Sequence, residues 1–414
     1  MFLSRALRSF SKAIKPKFEV NDMAALMFTV QKNKQSGLRD ILQAILDNKM
    51  NLTHIESRPA HMRDADKGYT FIVDVETPNI SALDNVCAFI KQTCGDVTLL
   101  GSIEVPWFPR RLSDLDAMPQ VNHELPWDHP GHKDEAFKTR RAEFAEIANS
   151  IKIGDKIPKI AYTEQETQTW KSLYHAVTPY FKKHACTEYY NNFKDMEERG
   201  LIKENEVPQI SDVNSYLMKK TGFQLKPISG LESDRDFLNC LAFKVFPSTL
   251  HMRHPSLPFF SIDPDVAHEV LGHAPMLADT EFSDFVQEIG LTSLGATNED
   301  IVKLTTLYFY SVELGLLMND QGLRKVYGAR VLSSFDEIEH AVSIKPEIRH
   351  LDPFQACNMK YHRRHLQSIY WFCENFREAK TLMRRYAMTR PRPFHASYDK
   401  QNLTIKVDHR IKTV

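Results

Sequence analysis

AALMFTV at residues 24–30, GLRDILQAIL at 37–46, NLTHIES at 51–57, YTFIVDV at 69–75, SALDNVCAFIKQ at 81–92 and VTLL at 97–100 decide how the N-terminal part of the chain folds. The first, third, fourth and last are short strand-like runs. The second repeats apolar residues at Leu38, Ile41, Leu42 and Ile45, and the fifth at Leu83, Val86, Cys87, Phe89 and Ile90. Both spacings are helical. The order is βαββαβ, the ferredoxin-like split βαβ arrangement. It sets off residues 21–104 as a first domain.

Upstream, residues 1–18 carry Arg5, Arg8, Lys12, Lys15 and Lys17 and no acid, with Phe2, Leu3, Leu7, Phe10 and Ile14 at helical spacing. That is the form of a mitochondrial presequence; a basic tail before the first domain reads the same way, so residues 1–20 stand apart. Downstream, Val105-Pro-Trp-Phe-Pro-Arg110 and a stretch dense in Asp, His and Pro form an entry to a second domain. From Phe137 to about Arg390 the period is helical, as in 141–151, 164–181, 213–221, 283–291, 301–318 and 368–386. Residues 105–390 therefore read as one large, mainly helical domain. In 391–414, the stretch from Pro393 to Val407 alternates around Asp399-Lys-Gln-Asn402 and reads as a β-hairpin. The fold class is multidomain α+β.

Composition narrows the function. Lys+Arg and Asp+Glu both number 53, so the net charge is zero and neither nucleic acid nor an anionic membrane is expected as the main partner. There is no GxGxxG or GxxxxGK[ST] among the 15 glycines, which argues against a dinucleotide or P-loop cradle. Six cysteines without a CxxC pair suggest reduced thiols in a cytoplasmic protein, with the mitochondrion as the alternative set by the N-terminus. The apolar run Leu304–Met318 is interrupted by Thr, Ser and Glu313 and is too short to span a bilayer.

The chemistry is concentrated in Asp263-Pro-Asp-Val-Ala-His268-Glu269-Val-Leu-Gly272-His273. On an α-helix, i and i+4 lie about 40° apart but i and i+5 about 140° apart. His268 and His273 can share an ion only if the helix ends or distorts between them, and Gly272 and Pro275 are placed to break it. A third ligand is available in Glu313, the one acid in an otherwise apolar helix, where a lone carboxylate is costly unless paired or metal-bound. Two histidines and a carboxylate make the facial triad of non-haem Fe(II) oxygenases. Two structural histidines with Glu313 paired to a buried Arg remain possible, as does a zinc hydrolase with Glu269 as base, although the spacing is wrong for HExxH.

Further segments are collinear with a known family: Asn51–Pro59, Val105–Arg110, Asp128–Gly131, His184–Cys186, Thr221–Phe223, Arg235–Phe237, Leu241–Phe243, Arg253-His254, His268–His273, Gln287–Leu291, Leu294–Ala296, Leu332–Phe335 and Arg392–Phe394. Through them the chain, from about Met23 to Val407, resembles the aromatic amino acid hydroxylases, tetrahydropterin-dependent non-haem iron monooxygenases. The resemblance implies an N-terminal ACT regulatory domain, a helical catalytic domain and a C-terminal oligomerisation ribbon. It implies Fe(II) on His268, His273 and Glu313, tetrahydrobiopterin or another tetrahydropterin, and O2 as cosubstrate. It implies a pterin pocket of Gly230, Leu231, Phe237 and Glu269, with Phe237 stacking on the pterin. Arg253 would bind the substrate carboxylate, with Ser261, Asp263 and Ser333 framing the amino acid and Pro264 and Phe309 sandwiching its ring. Glu269 and Tyr308 would stand beside the reacting groups, and Asp263 would pair with Arg141.

The family divides by substrate. Asn51–Pro59 is most similar to phenylalanine hydroxylase, which implies conversion of phenylalanine to tyrosine, the first step of phenylalanine catabolism. Ser36-Gly37-Leu38 stands where the family has the turn of its phenylalanine sensor. Phe309 is instead the residue expected of a tryptophan 5-hydroxylase, and Arg363 and Arg364 depart from the usual substrate mouth. An amino-acid-binding regulatory protein with a decayed catalytic domain is the alternative of another class; the intact triad argues against it. The chain stops soon after the hairpin, so a homodimer is expected and not a tetramer.

Overall fold

The computed structural model describes residues 22–31, 36–59, 68–100, 104–118, 125–230, 232–260, 263–319, 321–362, 365–390, 392, 394–408 and 412–413. The basic N-terminal segment, Leu231, Ser261, Arg363 and Arg364 lie outside the described residues. The chain divides into two compact units.

The first unit runs to Pro106 and takes in Met388–His395 and the residues from Val407 on. Its elements are β1 (Asp22–Val30), α1 (Gly37–Asp47), β2 (Asn51–Pro59), β3 (Tyr69–Thr77), α2 (Ile80–Cys94) and β4 (Thr98–Leu99). The sheet order is β2-β3-β1-β4, all neighbours antiparallel. Leu26 faces Val73 on one side and Leu99 on the other. Strand residues alternate between faces, so Ala24, Leu26, Phe28 and Val30 all point into the core. There they meet Ile41 and Ile45 of α1 and Leu83, Val86 and Ile90 of α2, the positions that helical spacing marks. Asn79 caps α2 by accepting from the Ala82 N–H, and Gly95, at φ 93°, ends it.

The second unit comprises Trp107–Ala387 and Ala396–Lys406. Its helices are α3 (Glu135–Ser150), α4 (Glu164–His184), α5 (Thr187–Glu198), α6 (Ile210–Lys220), α7 (Asp234–Ala242), α8 (Ala274–Leu277), α9 (Thr280–Ser293), α10 (Asn298–Tyr308), α11 (Ala329–Leu332) and α12 (Phe335–Val342), followed by 353–356 and 376–388. The α4 helix shows why they form. Thr163 and Glu166 make a reciprocal capping box, and Trp170, Leu173, Val177 and Phe181 line one buried stripe. Ala396–Asp399 and Thr404–Val407 pair as a hairpin, with Asp399 accepting from the N–H groups of Gln401 and Asn402. No helix among the described residues is long and apolar enough to cross a membrane.

Two long helical readings need correction. The apolar run 301–318 is helical only to Glu313, and Leu316–Met318 is a strand. Gly315 marks the change: a Cβ there would lie 2.1 Å from the Tyr327 ring, so only glycine lets the chain turn. In 368–386, Ile369–Cys373 is also a strand, as its β-branched and aromatic content suits. Both belong to a four-stranded sheet completed by Glu347–His350 and Arg324–Val326. Short buried strands carry no alternation, which is why helical period was read through them.

Helices α7 and α9 pack at backbone distance. A Cβ on Gly290 would lie 2.2 Å from the Ala242 nitrogen and 2.5 Å from the Leu241 carbonyl carbon. Backbone cannot rotate away as a side chain can. Gly290→Ala is expected to destabilise the unit by at least about 1–3 kcal/mol, read as a lower midpoint in chemical denaturation.

Candidate metal centre

Both histidines lie on one widened helical turn. His268–His273 is π-helical and runs directly into α8. Of the two ways expected, that the helix ends or that it distorts between them, the second is found: it widens. With i→i+5 hydrogen bonds, residue i+5 sits over residue i, so the awkward five-residue spacing becomes the aligned one. Pro275 contributes, because it has no N–H to return to the Leu271 carbonyl. That carbonyl instead accepts the Tyr189 hydroxyl at 2.5 Å. Gly272 does not break the turn either. It admits α11, since a Cβ there would be 2.7 Å from the Ala329 oxygen.

Glu313 ends a second π turn, Phe309–Glu313, which continues α10. The two turns bring the three side chains together, with all ligand atoms within 4.8 Å of one another. His268 Nε2 and His273 Nε2 are 3.0 Å apart. Glu313 Oε1 is 3.1 Å from His273 Nε2, and its Oε2 is 3.5 Å from His268 Nε2. Burial alone would raise the Glu313 carboxyl, but the His273 and His268 imidazoles outweigh it and hold it well below the carboxylate range.

This donor set fits Fe(II). Two imidazole nitrogens and a carboxylate on one side leave the other coordination positions open, and three donors this close suit a shared cation. The second ring nitrogen of His268 is engaged: its Nδ1 is 2.8 Å from Ser333 Oγ, which itself donates to the Ala329 carbonyl. With its proton committed to the Ala329 carbonyl, the Ser333 oxygen is left to accept from Nδ1–H, which keeps the Nε2 lone pair toward the site. Ser333→Ala is expected to weaken iron affinity about 10- to 100-fold with the fold intact, as measured by titration against a competing chelator.

The triad opens on a cavity of about 230 Å³. Phe237, Glu269 and Tyr308 line it, as do Arg253, Asp263, Pro264, Phe309 and Ser333. Gly230 is not in its wall; Ile228 and Glu232 are. Phe237 meets Tyr308 edge-on at 5.0 Å. Glu269 accepts from Thr249 N–H and Oγ1–H at 3.3 and 3.2 Å, and burial pushes its carboxyl up to about 7. Arg141 bonds Asp263 at 2.5 Å, as expected. Arg253 is held by Asp265, whose two oxygens accept from its Nε at 2.9 Å and Nη2 at 2.7 Å.

Several wall residues escaped the reading of the sequence, Tyr361, Glu232 and Arg330 among them. Tyr361 stacks on Phe309 with centroids 3.9 Å apart, so one face of that ring is already covered. Glu232 and Arg330 are half-buried ionisable groups in the wall. Neither stands in a patterned run, so only a charge inside an apolar context could have flagged them.

The profile of the biopterin-dependent aromatic amino acid hydroxylases matches residues 106–414. The chain belongs to this family. The family uses Fe(II) and a tetrahydropterin with O2, and the hydroxylase has a His-His-Glu triad to suit. It is 40% identical to tyrosine 3-monooxygenase of Canis lupus familiaris over 93% of this chain and 78% of that one. It is 38% identical to phenylalanine-4-hydroxylase of Dictyostelium discoideum over 93% of this chain and 89% of that one. Among solved structures, the cold-active phenylalanine hydroxylase of Colwellia psychrerythraea 34H matches with a TM-score of 0.53 and 25% identity, covering 57% of this chain and 92% of that one.

Proposed function

We propose that the hydroxylase converts L-phenylalanine to L-tyrosine. The observation that carries the chemistry is the convergence of His268, His273 and Glu313 at the head of an aromatic-lined cavity. Phenylalanine as substrate is supported by the likeness of Asn51–Pro59, strand β2, to phenylalanine hydroxylase and by relatives of that name. The tyrosine 3-monooxygenases, equally similar in sequence, support tyrosine as the second reading.

Each wall residue has a physical task. His268, His273 and Glu313 hold the iron. Phe237 offers its face to the flat pterin, and Glu269 accepts or donates a hydrogen bond at the pterin edge. Bound iron and tetrahydropterin supply the electrons and the open positions at which O2 is activated. Arg253 faces the substrate carboxylate with Nη1, which lies outside the bidentate contact with Asp265 and donates only at long range, to the Pro258 and Ser333 carbonyls at 3.3 and 3.5 Å. Pro264 and the uncovered side of Phe309 orient the ring. The first unit serves as an ACT sensor of phenylalanine, and the C-terminal hairpin joins two copies in a homodimer.

The test is a one-tube competition. The protein is supplied with Fe(II), a tetrahydropterin and air, and phenylalanine, tyrosine and tryptophan at equal concentration. Tyrosine as the dominant product is expected. Dominant dihydroxyphenylalanine would transfer the reading to tyrosine, and dominant 5-hydroxytryptophan to tryptophan.

A further inference from the structure

Two guanidinium groups line the cavity, and they are held differently. Arg253 is gripped in two places by the fully buried Asp265. Arg330, on α11, has a counter-charge in Glu337 only at long range. Its Nε and Nη2 are buried without a hydrogen-bond partner among the described residues. Glu337 Oε2 is 3.8 Å from Nε, beyond hydrogen-bond distance, and Glu337 Oε1 already accepts the Tyr370 hydroxyl. The Arg330 side chain is only 14% exposed. The rings of Phe260 and Phe309 flank it, with centroids 5.6 and 5.9 Å from Cζ.

A guanidinium stripped of water and short of acceptors is costly. The same group, set near two aromatic rings, is prepared to take a planar oxyanion in a two-pronged grip. Arg330 also stands three residues before Ser333, the partner of His268. Residues at that spacing are neighbours on a helix face, so an anion bound to Arg330 lies close to the metal centre. We propose that Arg330 binds an oxyanion of the amino-acid substrate, making it a specificity-determining residue of this hydroxylase beside Arg253. The proposal rests on reading the cavity as the site of an aromatic amino acid.

The oxyanion has two possible sources, the α-carboxylate and an acidic group carried on the ring. Calorimetric binding to the iron-loaded full chain, without pterin so that no turnover intervenes, separates them. The ligands are phenylalanine, phenethylamine (which lacks the carboxylate) and 4-carboxyphenylalanine. Arg330→Met is expected to weaken phenylalanine binding about 10- to 100-fold, to leave phenethylamine binding unchanged, and to keep the iron content. Arg330→Lys should recover part of the loss, since it keeps the charge but not the fork. A loss confined to 4-carboxyphenylalanine would support the proposal with the ring as the source. Equal losses for phenylalanine and phenethylamine, or no loss for any ligand, would overturn it. If Arg330→Met does not fold, Arg330→Gln makes the same comparison. A wild-type protein that binds iron but no aromatic amino acid would overturn the functional reading as well, an outcome distinct from the others.

Discussion

Glu313→Gln is expected to yield a folded protein that retains no stoichiometric iron and hydroxylates at least about a hundredfold more slowly, a floor set by what even the supporting partners of metal ligands cost. The change preserves shape and removes one negative charge. That charge is what sets the centre apart from a pair of structural histidines. Glu313 faces His273 at 3.1 Å and His268 at 3.5 Å, and the two imidazole nitrogens are 3.0 Å from each other. A neutral amide oxygen leaves the divalent ion with two nitrogens and no compensating anion. The apo fold should survive, because Glu313 sits at the end of its turn and is joined to the rest through those two histidines. Metal analysis by mass spectrometry and the thermal midpoint of the metal-free protein are the readouts. One iron per chain together with near wild-type turnover would contradict the assignment of Glu313.

Asp265→Asn is expected to act on stability first. Asp265 is fully buried, and its oxygens accept from Arg253 Nε, Nη2 and backbone N–H and from the His268 N–H at 3.0 Å. The asparagine would leave the Arg253 guanidinium, 2% exposed, without a counter-charge. Removing one partner of such a pair costs about 3–5 kcal/mol. The thermal midpoint of the second unit should fall, and iron binding with it, since the same carboxylate anchors the start of the His268 turn. Asp265→Asn combined with Arg253→Met should regain part of the stability but not the binding of amino acid. A single variant as stable as wild type would mean that water or a neighbouring group reaches Arg253.

The sequence was informative where residue type and period suffice. The order of strands and helices in the first unit could be read because its strands are short apolar or β-branched runs and each helix has one dry stripe. The candidate ligands could be found because His268, His273 and Glu313 are chemically conspicuous, Glu313 by standing alone in an apolar run. What stayed hidden depends on tertiary partners. Ser333 is named by the resemblance as a neighbour of the amino acid, but its bond to His268 Nδ1 is visible only in the structure. Arg330 and Tyr361 become wall residues only when distant segments close around Phe309. The strands at 316–318 and 369–373 were misread because buried strands show no alternation. The broken helix was anticipated from the right discrepancy, the five-residue spacing, but the chain resolves it by widening the turn.

That widening gives the centre a dependence on chain length as well as on composition. A π turn amounts to one residue more than an α turn would use. Deleting a single residue such as Val270, or Ser311 in the other turn, would let ordinary helical winding return with the flanking residues still in phase, because the two histidines would then stand four residues apart, about 40° on an α-helix. Keeping the length but restoring ordinary winding would instead set them about 140° apart and swing His273 away from the remaining ligands. That chain would still contain both histidines and the glutamate, so an inventory of ligands would find nothing missing. Spacing and winding have to match, and a change in one without the other alters the direction in which a ligand points.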